Sequence, residues 1–330
     1  MSARGQSAVR RRHVADLAVT LARRLESQSA LGLCSLTSGV TEFYEGNWDQ
    51  ALELEETAER LLLDHCTGVH WELQSARLYQ IMALFYLGRI RTLRSRVNSF
   101  LIEAHDRGNL YAGTTFRTGL ANVAWLATDD LAGARQAISE AVDQWSHTGF
   151  HIQHYLAMLS QGQLALYEGA GQRGWEDVTR SWPDLSASQL LRVEGIRVVM
   201  LHLRARCALA AAIASPGDRR DLIAAAQRDA RRIEREQWAW RGPLVKLLHA
   251  AVANLKGDRD AAAALVKDAA SGFERVKMGL YAAAARRRLG ELTQDAGIVT
   301  LADDWMRSED IAAPERMTRM LAPALDLHFS

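Results

Sequence analysis

The chain has 330 residues, 48% hydrophobic and 24% charged, with a net charge of +1 at pH 7. That balance excludes a largely disordered chain, and near-neutrality removes any global attraction to nucleic acid or to an anionic membrane surface. Three cysteines (Cys34, Cys66 and Cys207) lie far apart and are odd in number, which argues against a disulfide framework or structural zinc and for a reducing interior.

The basic stretch from Met1 to Arg12 is not followed by the apolar run of a signal peptide, because Asp16 and the pair Arg23-Arg24 interrupt it. The longest apolar runs, such as Cys207 to Ala214, fall far short of the roughly 20 residues that cross a bilayer. A cytoplasmic location without a membrane partner is expected. A leading helix over about 8–26 opens the chain. Turn signals then recur at Glu45-Gly46-Asn47-Trp48, Leu87-Gly88-Arg89, Thr128-Asp129-Asp130, Tyr167-Glu168-Gly169, Pro216-Gly217-Asp218, Lys256-Gly257-Asp258 and Asp295-Ala296-Gly297. Gly46 to Gly88 and Gly88 to Asp130 are 42 residues each, and Gly217 to Gly257 to Gly297 are 40 each.

Helices pair around each turn. First helices are predicted over about 28–45, 70–87, 109–127, 150–168, 187–215, 240–256 and 278–293. Their second helices are predicted over about 47–65, 89–107, 130–147, 171–182, 218–237, 258–276 and 297–308. A short helix over about 313–321 closes the series. Only 5 prolines occur, each near a predicted helix end or turn, and no segment alternates as a strand would. The fold class is therefore all-α: a right-handed superhelical array of antiparallel helix pairs, a tetratricopeptide-like α-solenoid of period about 40 rather than the standard 34 or so. No linker rich in Gly, Ser or Pro divides it. Residues 1–330 read as one continuous domain, with 1–27 an N-terminal capping helix and 309–330 a C-terminal cap. The 46 residues from Gly171 to Gly217 mark an irregular middle repeat with a break at Trp182-Pro183.

The string Gly169-Ala170-Gly171-Gln172-Arg173-Gly174 matches GxGxxG, but a helical segment precedes it where a phosphate loop needs a strand. It reads as an inter-helix turn. The chain has no GxxxxGK[ST], HRD or DFG motif, so nucleotide-driven phosphoryl transfer is not expected. No GxSxG elbow singles out a nucleophile either, and no cofactor is expected. The densest polar cluster runs from Trp145 to Tyr155, where His147, His151 and His154 have the spacing of one helical face. Gly149 breaks that face and no HExxH supplies a base, so packing with one imidazole exposed is expected. A metal-dependent enzyme built on these three histidines is the alternative.

Most of the 9 tryptophans fit core packing between repeats, although Trp71, Trp238 and Trp240 begin first helices, so that one of them is expected to reach the groove as an anchor. Basic runs at Arg10–Arg12, Arg231-Arg232 and Arg286–Arg288 read as solvated helix faces, and no nucleic-acid partner is expected. First helices of such arrays line a concave surface, and a row of cations there would receive an acidic peptide. The candidate groove residues are Trp71, Arg77, Arg117, His151, His154, Arg192, Arg197 and His202.

Several longer strings carry a resemblance. They include Glu59-Arg60-Leu61-Leu62 leading into the segment from His65 to Leu73, Met82 to Gly88, Arg107 to Ala112, Trp145 to Tyr155, Leu201 to Arg206, Tyr281 to Arg288 and Met317 to Pro323. Together, from about Val9 onward, they resemble the C-terminal repeat region of large bacterial eukaryotic-like serine/threonine protein kinases, in which a kinase domain and an AAA-type ATPase-like segment precede tetratricopeptide-like repeats. The chain holds only the tail of that arrangement, so none of the family's catalytic residues has a matching position. The resemblance implies a non-catalytic regulatory or scaffold module in serine/threonine kinase signalling, with a kinase or its substrate as partner. A kinase label by family would describe the relatives and not an activity of these residues.

Overall fold

The computed structural model describes residues 3–146, 148–238 and 240–325, with side chains from residue 13 onward. Among them the chain is all-helical, with neighbouring helices packed in chain order. It forms two compact units, 1–84 and 85–330. None of the described helices is long and apolar enough to cross a membrane.

The first unit holds α1 (Ala3–Arg24), α2 (Gln28–Glu45), α3 (Trp48–His65) and all but the last turn of α4 (His70–Leu87). Gly46, at φ 87, ends α2 in the left-handed region that glycine alone enters without cost, and its N–H bonds back to Phe43 O. α2 lies close on α3 because Gly32 and Gly39 present no side chain to Leu62 and Glu55. An aromatic knot fastens the far end, where Phe43 meets Trp48 at 5.1 Å and Tyr79 at 5.2 Å, both edge-on. The Glu55 carboxyl lies fully buried at the α2–α3 seam without a hydrogen-bond partner, and burial pushes its pKa up to about 9.

The second unit continues with α5 (Ile90–Asp106), α6 (Leu110–Arg117), α7 (Val123–Leu126), α8 (Leu131–Asp143), α9 (Ile152–Glu168), α10 (Gly171–Ala187), α11 (Glu194–Ala214), α12 (Arg219–Glu234), α13 (Arg241–Leu255), α14 (Arg259–Arg275), α15 (Gly279–Thr293), α16 (Ala296–Ser308) and α17 (Pro314–Leu321). The expected helix over 109–127 is broken into α6, a 3-10 turn and α7. Thr118 is extended and Gly119 takes φ +64 under Leu156, so the ladder cannot run through. The expected stop at Pro183 does not occur: α10 continues to Ala187, drawn on by fully buried Leu185, while Trp182 packs under the Arg204 guanidinium 3.5 Å away. The last turn also differs, since Gln294 rather than Gly297 takes the positive φ and Asp295 caps α16. The glycines of the GxGxxG string serve close packing: Gly171 faces the Ala210 backbone and Gly174 the Cys207 sulfur, at distances a Cβ would shorten to 2.6 and 3.3 Å.

Side-chain caps fix several helix starts. Asp258 accepts from Ala261 N at 3.1 Å, and Asp130 from Gly133 N at 2.8 Å. Asp258→Ala is expected to cost about 1 kcal/mol in urea unfolding, and an unchanged midpoint would remove the cap from the account.

Two kinds of helix divide the labour in the second unit. α9, α11 and α15 are buried on most sides, whereas α12, α14 and α16 bury a single stripe. The first helices therefore meet one another around a filled interior, in contrast to the open concave surface expected. There Tyr281 stacks on Tyr86 at 6.5 Å and touches His202 at 5.9 Å, and Tyr86 reaches Trp240 at 5.9 Å. The end of this unit also returns to its start. Gly88 sits against the Leu280 backbone, and Arg91 bonds Asp310 Oδ2 at 3.0 Å and Ser308 O at 2.7 Å. From the last turn of α17 onward the chain turns inward, where Arg206, Arg288 and Asn254 donate to the carbonyls of Met320, Ala322 and Ala324 at 2.7, 2.8 and 3.0 Å.

Candidate functional site: a cleft with an aromatic and imidazole rim

The segment between α8 and α9 folds locally through its own polar side chains. Ser146 Oγ lies 2.9 Å from Thr148 Oγ1 and accepts from Thr148 N, and Gly149 takes φ 78 to turn the chain. His151 then caps α9, its backbone N–H donating to His154 Nδ1 at 2.9 Å. Trp145 Nε1 donates to His151 Nδ1 at 3.2 Å. The rings form a continuous file: Tyr111 to Trp145 at 6.3 Å, Trp145 to His151 at 6.4 Å, His151 to His154 at 5.4 Å and His154 to Phe150 at 5.5 Å.

Beside this file a cleft of roughly 660 Å³ opens between α9 and the last turns of α10. Phe150, His154, Met158, Gln161, Asp184 and Ser188 line it, and no lysine or arginine does among the described residues. Its one carboxylate, Asp184, belongs to the stretch of α10 that continues past Pro183. A neutral imidazole that accepts a hydrogen bond at Nδ1 carries its proton on Nε2, so in that form His151 and His154 each present a donor there rather than a metal-ligating lone pair. Among the described residues no three His, Cys, Asp or Glu side chains gather in a metal-holding arrangement. His147, the third histidine of the predicted cluster, lies outside the described residues.

Of the predicted groove residues in the second unit, the structure brings His151 against His154, and Arg197 against Arg192, whose carbonyl accepts from Arg197 Nη1 at 3.4 Å. Trp71 is 65% exposed at the start of α4, in the first unit. Arg77, in the same unit, is buried and paired with Glu59 Oε1 at 2.7 Å. Arg117 lies 3.4 Å from Glu140, and Arg197 holds Glu236 through bonds of 2.6 and 2.8 Å, which raises its pKa further. Arg192 is exposed on a 3-10 turn. His202 is buried, and burial together with Arg206 holds its pKa well below the ordinary histidine value. A row of free cations awaiting an acidic peptide is thus absent among these residues, because Arg77, Arg117 and Arg197 already face carboxylates.

The cleft's own lining is only half visible in the sequence. The stretch from Trp145 to Tyr155 stands out by its density of rings, whereas Asp184 and Ser188 carry no motif and reach the cleft only because α10 runs on. In comparisons with protein-family models, curated proteins and solved structures, no match to this chain was found.

Proposed function

We propose that the chain is a non-catalytic helical-repeat module that binds a partner's peptide segment, seating one apolar or basic side chain of it in the cleft beside His151 and His154. The observation that carries this reading is the half-buried file of rings, exposed at His151, whose members Phe150 and His154 line a cleft of ligand-pocket size; aromatic rims give large contact area at small entropic cost. Lining by Asp184 without a lysine or arginine among the described residues favours a neutral or basic anchor over the acidic peptide expected from the sequence. A right-handed tetratricopeptide-like array belongs to the same proposal and rests on the period of about 40 residues. The resemblance to bacterial kinase repeats directs the search for the partner to serine/threonine kinase signalling.

The test is selection from a displayed peptide library against the full chain, followed by titration of the enriched peptide. Phe150→Ala and Met158→Lys are each expected to weaken it by about tenfold or more, while Arg192→Ala leaves it unchanged. Binding indifferent to both cleft variants would place the peptide elsewhere and end this assignment.

A further inference from the structure

The interior of the second unit contains a small cavity of 10 Å³, room for about one water-sized particle. Leucine side chains, Val199 and the rings of Phe85, Tyr86, Trp240 and Tyr281 supply most of the wall, and Gln163, His202 and Arg206 also line it. Arg206, His202 and Gln163 are 2%, 3% and 2% exposed, and Arg206 Nε, His202 Nε2 and Gln163 Oε1 have no hydrogen-bond partner. Three unpartnered polar atoms around one void are a cost the fold would not carry with the void empty.

The charge is the sharper observation. Four arginines are buried among the described residues: Arg77, Arg206, Arg287 and Arg288. Arg77 pairs with Glu59, Arg287 with Asp303 and Glu291, and Arg288 with Glu291. Arg206 has a backbone carbonyl, Met320 O, and no carboxylate among the described residues. A guanidinium in an apolar interior requires a counter-charge, and a neutral water in the void would satisfy hydrogen bonds without supplying one. We infer that the cavity binds one monovalent anion of halide size, gripped by Arg206 Nε–H, His202 and Gln163.

The donors suit that guest. The neutral His202 ring donates from Nε2 when its proton sits there, and a half-turn of the Gln163 amide presents N–H in place of its oxygen. The small volume excludes carboxylates, phosphate and sulfate and favours chloride over the larger bromide.

The experiment compares thermal unfolding of the full chain, prepared free of halide, in sodium gluconate, chloride and bromide at one ionic strength. Chloride and bromide are expected to raise Tm saturably by roughly 3 °C or more, and a bromide crystal to show an anomalous peak within hydrogen-bonding distance of Arg206. Arg206→Gln should lose the halide-specific rise. Should that variant not fold, Gln163→Leu is expected to raise the half-saturating chloride concentration about tenfold. Equal Tm values in all three salts, or bromide crystals with only a water beside Arg206, would overturn the inference.

Discussion

Glu55→Gln is expected to raise stability by about 3 kcal/mol at pH 7 and to leave it unchanged near pH 4. The reason is the folded carboxyl at the α2–α3 seam, which has no hydrogen-bond partner and a pKa pushed up from 4.5 to about 9 by burial. In the unfolded chain the same group ionises at its ordinary value. The folded state thus holds a proton that the unfolded state releases, and each pH step above 4.5 costs about 1.4 kcal/mol until the folded pKa is reached. Stability from this group is complete below about pH 4.5 and falls continuously toward pH 9. Glutamine keeps the shape and has no proton to lose. Urea unfolding of both proteins at pH 4, 6 and 8 checks it. Parallel pH profiles would show that Glu55 is solvated or partnered in solution, and the account of the seam would fail.

Gly88→Ala is expected to destabilise the second unit by about 3 kcal/mol or more, with Tm lower by roughly 10 °C. Two effects add at this position. The residue holds φ +79, which costs an L-amino acid about 1–2 kcal/mol, and the new methyl would stand 2.7 Å from Leu280 N and 2.6 Å from the Trp305 ring. The Leu280 nitrogen is backbone and cannot move aside. Gly257→Ala provides the control, because φ +86 imposes the same strain there with nothing within 4 Å. Its expected cost is the backbone part alone, about 1–2 kcal/mol. Equal losses in the two variants would mean that the contact between Gly88 and α15 contributes nothing, and the return of the unit's end to its start would lose its main support.

Turn chemistry makes most of the helix order legible in the amino-acid sequence. Gly46, Gly88, Gly169 and Gly257 all take positive φ where the sequence signals a turn, and apart from the spans 109–127, 171–182 and 187–215 the paired helices begin and end within a few residues of expectation. Local signals fail where packing decides. Gly119 gives no sequence sign that it must pass beneath Leu156, and Pro183 reads as a helix stop until buried Leu185 carries the helix beyond it. The site is less legible than the fold for a related reason. Periodicity locates the inward face of a first helix but says nothing of what it meets, so Arg77 and His202 read as groove residues and lie buried. The rings from Trp145 to Tyr155 are visible because they are adjacent in sequence. The wall opposite them comes from the end of α10, some thirty residues away, and no local pattern joins the two.

The inward-turned segment from the last turn of α17 onward bears on how the molecule is made. Arg206, Asn254 and Arg288 emerge from the ribosome well before the carbonyls they hold, at Met320, Ala322 and Ala324, and Arg206 waits for 114 further residues. Chain synthesis proceeds at about 5–20 residues per second, so this guanidinium spends seconds without its acceptor while the helices around it are already available to pair. Helix pairs of the second unit can form one after another during translation, but its interior is sealed only in a final, long-range step after residue 325 is free. A nascent chain stalled before α17 will therefore be helical, incompletely packed and a substrate for chaperones, in the way that slow closing contacts delay other folds of high contact order.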